Sequence, residues 1–82
     1  MNEKALLGYI QDLGEILKEE SRDTHSSMLS AAKDDAEWRR GEVATYYRII
    51  SWAQERAEHY GLSLEEVNLD GLDPDKDLHI PK

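Results

Sequence analysis

Eighty-two residues make one domain, and a chain of this length buries only about 60–65% of the surface its unfolded form exposes. With no cysteine there is neither a disulfide nor a thiolate zinc site to supplement the core, so the simplest supplement is another subunit. A net charge of −8 argues against binding to phosphate backbones or anionic membrane surfaces, so neither nucleic acid nor membrane is expected as a partner.

The opening MNEKALLGYI does not read as a signal peptide, because its apolar run is broken by Gly8, Gln11 and Asp12. No stretch approaches the roughly 20 apolar residues of a membrane span. The cytoplasm is the expected compartment. Residues 3–20 have helical spacing: Leu6, Tyr9, Ile10, Leu13, Ile16 and Leu17 recur at three and four and share one face, with Asp12, Glu15, Lys18 and Glu19 mostly opposite. Gly8 and Gly14 sit inside this pattern. They are either tolerated helix glycines or points where another helix approaches closely.

Residues 21–27, SRDTHSS, carry no apolar side chain. The helix either runs through them as a solvent-exposed segment or breaks, with Asp23 or Thr24 capping a new helix. We favour a continuous or kinked helix over about 3–33, with Met28, Leu29, Ala31 and Ala32 resuming an apolar patch. KDDAEWRRG at 33–41 is the predicted reversal, with Asp34 or Asp35 as the next cap and the second helix starting between Asp35 and Glu42.

That second helix, about 36–60, carries a heptad-like seam at Val43, Tyr46, Ile50, Ala53, Ala57 and Tyr60. A further apolar line, Ile49 and Trp52 with Tyr47 nearby, exceeds what one partner helix covers. The C-terminal segment and a second copy are the candidates to cover it. Gly61 reads as a C-terminal cap. Ser63-Leu64-Glu65-Glu66 reads as a capping box opening a short helix over about 64–69. In the acidic tail, 70–82, Asp73-Pro74 suits a type I turn. Leu69, Leu72, Leu78 and Ile80 are placed to pin the tail across the helices, and the last three residues are expected to be mobile.

The second half of the chain, through Tyr46-Tyr47, the helix end at Ala57 to Gly61 and the phrase LDGLDPD at 69–75, resembles a family of small bacterial proteins of unknown function. The resemblance implies a bacterial cytoplasmic origin and brings no activity, cofactor or catalytic residue.

Few constellations suggest chemistry. Glu55 and His59 share a helix face, enough for two metal ligands, but such pairs are usually surface contacts. Asp70, Asp73, Asp75 and Asp77 fail the calcium-loop pattern, because neither counting frame puts Gly at the sixth position and Glu at the twelfth. Trp38-Arg39-Arg40 is the one basic cluster, with Glu37 and Asp35 at pairing distance; Trp38 is a candidate protein contact. Tyr46, Tyr47, Arg48 and Trp52 are placed to line a small pocket, with Arg48 stacked on Trp52, although aromatic stripes at helical spacing are more often core or interface. There is no phosphate loop and no motif-borne nucleophile.

The sequence therefore predicts an all-α protein, an antiparallel helical hairpin plus a short C-terminal helix and an acidic tail. It is expected to dimerise into a four-helix-type bundle. No enzyme activity, cofactor or metal is expected. The expected function is protein–protein contact with self-association, through Tyr47, Ile49, Trp52 and Trp38. The alternative is an acidic inhibitor of the immunity or antitoxin type, acting on a basic partner through Asp70, Asp73, Asp75 and Asp77.

Overall fold

A computed structural model describes residues 2–81. Helix α1 (Glu3–Ser30) and helix α2 (Lys33–His59) form an antiparallel hairpin, and a single-turn helix α3 (Pro74–Asp77) lies in the C-terminal segment. There is no strand among the described residues, and no helix is long and apolar enough to cross a membrane. The molecule is a rod of 48 × 21 × 17 Å.

Helix α1 starts where Asn2 accepts from the backbone N–H groups of Lys4 and Ala5 at 3.0 and 3.3 Å. It ends at a two-residue connection, Ala31-Ala32, both extended. The reversal is thus shorter and earlier than the predicted 33–41, and α2 begins at Lys33. Nothing in KDDAEWRRG breaks a helix. Asp34 and Asp35 lie in the first turn of α2, where negative charge meets the positive end of the helix dipole, and neither is its cap. Gly41 is an exposed interior residue of α2.

After Tyr60 the chain turns through Gly61, in the left-handed region at φ 73°, and Leu62 N–H donates to Ala57 O at 2.8 Å. The predicted capping box forms with both bonds: Glu66 N–H donates to Ser63 Oγ at 3.1 Å, and Ser63 N–H donates to the Glu66 carboxylate at 3.0 Å. The Ser63 N–H bond holds the Glu66 carboxyl below its ordinary range. The contribution of that bond is therefore present above the ordinary carboxyl range and lost as pH falls through the depressed value. The short helix predicted over about 64–69 does not form. Asn68 takes the left-handed region at φ 58° and ends the structure as a single turn. The third helix forms instead at Pro74–Asp77, where Asp73 accepts from Asp75 N–H at 3.0 Å and Pro74 occupies the first turn.

From this turn the C-terminal segment runs as a strap along one side of the hairpin, antiparallel to α2. It passes Gln11, Gly14, Lys18, Arg22 and His25 of α1 in succession. Leu72 and Leu78 enter a core with Met28, Val43 and Ile50, flanked by Leu17, Tyr46, Tyr47 and Ile80. Val67 and Leu69 form a second cluster with Ala57, flanked by Ile10, Ala53 and Leu64. The seam of α2 is therefore covered by the strap as much as by α1, and its last member, Tyr60, is exposed. Of the three final residues expected to be mobile, Ile80 packs against the core and Lys82 lies outside the described residues.

Helix α1 buries a different stripe from the one its apolar spacing suggests. Lys18 is 7% exposed and Ser21 is fully buried, whereas Leu13 and Ile16 are 43% and 52% exposed. The polar run 21–27 stays helical because part of it faces the strap: Arg22 donates to Gly71 O at 2.8 Å and His25 Nε2 lies 2.8 Å from His79 O, while the buried Ser21 hydroxyl is satisfied within the helix by donating to Lys18 O at 3.0 Å. Gly14 is the close approach. It admits the backbone of the 67–68 turn rather than another helix, and a Cβ there would lie 2.7 Å from Asn68 O and inside contact distance of Val67 O.

Candidate functional site

The strap is held by side chains that reach its backbone. Gln54 donates to Leu69 O and Leu72 O at 3.1 and 2.9 Å. Gln11 donates to Glu66 O at 3.1 Å. His25 Nε2 lies 2.8 Å from His79 O, a contact in which the ring must donate. Lys18 Nζ donates to Asn68 Oδ1 at 3.0 Å and Asp70 O at 3.1 Å, with the Glu15 and Asp70 carboxylates at 3.7 and 3.8 Å. Asn68 completes the knot by donating to Gln11 O and Glu15. Loop carbonyls have no ladder partner, so each such bond replaces water on a segment without regular structure. Among the described residues no buried side-chain polar atom is left unpaired.

The four aspartates of the acidic segment are exposed but each has an internal partner. Asp70 sits beside Lys18, Asp73 caps α3, and Asp77 accepts from Asp73 N–H at 2.7 Å. Asp75 accepts from the Tyr47 hydroxyl at 2.5 Å. Among the described residues no group of three or more His, Asp and Glu side chains is placed to hold a metal.

Tyr47 is therefore turned to the strap and does not extend the Ile49–Trp52 line. Its bond to Asp75, with the nearby carboxylate charge, raises the phenol above its ordinary range. Only the protonated phenol donates. The contact is thus fully present below about pH 10 and is lost as pH rises through the raised value. In an ultraviolet titration we expect Tyr47→Phe to remove the phenol that ionises above the ordinary range. Asp75→Asn should lower its midpoint. An unchanged titration in both variants would refute the assignment.

Ile49 and Trp52 remain open on the opposite side, Trp52 at 57% exposure with Arg48 stacked 5.3 Å from its ring. Heptad spacing places them with Leu6, Tyr9, Leu13 and Ile16 of α1, all exposed. At its edge the helices part into an apolar groove of about 300 Å³ lined by Ile10, Leu17, Ala53, Tyr60, Leu62 and Val67, with Arg56 its one charged lining residue. Trp38 stands apart near the hairpin turn, exposed, with Arg39 5.0 Å from its ring and paired to Glu42 at 2.9 Å. Tyr47 and Trp52 thus lie on different sides of α2 and share no pocket; Tyr47 and Arg48 line a separate hollow with Asp75 and Ile80.

The sequence reading missed Lys18 and Asn68, and left Gly14 open between a tolerated helix glycine and a close approach by another helix. The available signal was a second heptad on α1, Gln11, Gly14 or Glu15, Lys18, Arg22 and His25, whose polar character hides it from any search for apolar periodicity. The fold is an all-α helical hairpin clasped by an irregular strap. No protein-family model, curated protein or solved structure matches the chain.

Proposed function

We propose that this protein acts through protein–protein contact and that its first partner is a second copy, with the open apolar face of the hairpin as the interface. One observation carries the reading. Helix α1 covers its polar stripe with the strap and leaves Leu6, Tyr9, Leu13 and Ile16 open. A contiguous apolar patch of this kind marks an interaction surface more often than it stays solvated. Two copies joined there would bury Ile49 and Trp52 and leave both acidic straps, with six carboxylates against two lysines over residues 63–82, facing outward and apart. The reading includes no catalytic step and no cofactor, and the cytoplasm is its expected setting.

Sedimentation equilibrium tests it. We expect a dimer at micromolar concentration, and we expect Ile16→Glu and Trp52→Glu each to weaken it by about 30-fold or more, as for residues at the centre of an interface. A well-folded monomer at tens of micromolar, on the order of ordinary weak self-association, would sink the proposal. The alternative, an acidic inhibitor of a basic partner, would have to use carboxylates already committed to the strap. Replacing all four by Asn would loosen the fold as well as remove charge. Salt dependence of partner capture by the unsubstituted chain is the cleaner discriminator.

A further inference from the structure

The open face is not apolar along its whole length. Heptad spacing carries the α1 stripe from Leu6, Tyr9, Leu13 and Ile16 into Glu20, Asp23 and Ser27. On α2 the stripe of Ile49 and Trp52 continues toward the turn as Thr45, Glu42 and Trp38. The contiguous apolar part therefore spans about 15 Å of a helix about 42 Å long, in the half of the rod away from the turn, and Trp38 stands alone beyond it near the turn. The groove at Ile10, Leu17 and Ala53 belongs to that same half.

We propose that two copies overlap only through these open halves, as a staggered antiparallel dimer with the hairpin turns at opposite far ends, and not as a four-helix bundle along the full rod. This rests on the self-association reading and specifies its geometry. The accessible surface is 6105 Å², against roughly 5,000 Å² for a compact folded monomer of this size. That surplus belongs to the rod as a whole; half of one 48 × 21 Å face offers roughly 500 Å² in outline, at the low end of specific interfaces, which suits association in the micromolar range. Full overlap would bring Glu20 and Asp23 into the contact, where burying charges without partners is costly, together with the Arg39–Glu42 pair, whose desolvation is costly as well. The staggered arrangement leaves them in water. It is isologous, so it closes at two copies and builds no filament. It also places the 300 Å³ groove against the partner's apolar stripe, which can fill a void that a packed interior would not retain.

The chain has no cysteine, so a single spin label can be placed at Lys33→Cys, an exposed residue beside the turn. In the staggered dimer the two labels should lie about 60 Å apart, against about 45 Å for a fully overlapped antiparallel bundle. Small-angle scattering should give a maximum dimension of about 70 Å, against about 50 Å for full overlap. Trp38→Ala should leave the dimer dissociation constant unchanged, while Leu13→Glu should raise it by about tenfold or more. A monomer at all concentrations would overturn both this geometry and the self-association reading. A dimer with the shorter label distance, or one weakened by Trp38→Ala, would overturn the staggered geometry alone.

Discussion

Gly14→Ala and Gly8→Ala, one methyl group each in the same helix, should move stability in opposite directions. At Gly8 nothing lies within 4 Å of the added carbon, so the substitution removes only the helix penalty of glycine and should stabilise by about 0.5–1 kcal/mol. At Gly14 the added carbon meets the carbonyl oxygens of Val67 and Asn68. These are backbone atoms in a turn closed by the left-handed Asn68 and by Leu69 N–H donating to Leu64 O at 2.8 Å, so they cannot swing aside as a side-chain end would. Overpacking of this kind costs about 1–3 kcal/mol, which outweighs the propensity gain. The net result should be a loss of about 1–2 kcal/mol, or a fall in Tm of about 5–10 °C for a domain of this size. Thermal unfolding by circular dichroism reads both variants. Equal shifts of the same sign would show that the turn does not pack on α1 at Gly14.

Lys18→Met should cost about 1–3 kcal/mol, although it exchanges a charged residue for an apolar one of similar length in a buried position. The ammonium is the donor to Asn68 Oδ1 and Asp70 O and the near countercharge of Glu15 and Asp70. Methionine keeps the packing of the stem and leaves those acceptors without a partner. The loss should be local before it is global. Amide exchange should rise across residues 67–72 of the strap while α1 and α2 keep their protection near the turn. Lys18→Ala should be worse, because it also removes the stem from the groove. A Met variant as stable as the parent chain would show that water already satisfies these acceptors.

These two positions also show where sequence reading stops. Glycine in a helix is ambiguous from spacing alone, and what distinguishes Gly14 from Gly8 is a loop more than fifty residues away in the chain. A lysine at a helical interval reads as solvated. It becomes a structural centre only because the strap offers it a carbonyl and an amide oxygen. The turn chemistry was more legible. The capping box at Ser63 and Glu66 and the left-handed Gly61 involve neighbours in sequence, so local geometry sufficed to foresee them. The helix expected from that box failed at Asn68, whose left-handed backbone accompanies its bonds to α1.

The place of the reversal, Ala31-Ala32, contains no Gly or Pro and was not legible, whereas composition and the two runs of helical periodicity were enough to specify an all-α hairpin. Those signals repeat every three or four residues and need no distant partner. The tertiary structure alone decided which stripe of each helix would be covered. The strap carries both leucines and backbone carbonyls. It therefore settled where Val43 and Ile50 could bury apolar surface and where Gln11, Lys18, Arg22 and Gln54 could supply donors. The stripe of α1 with the strongest apolar character was left open because a loop segment requires hydrogen-bond donors that Leu6, Leu13 and Ile16 do not have.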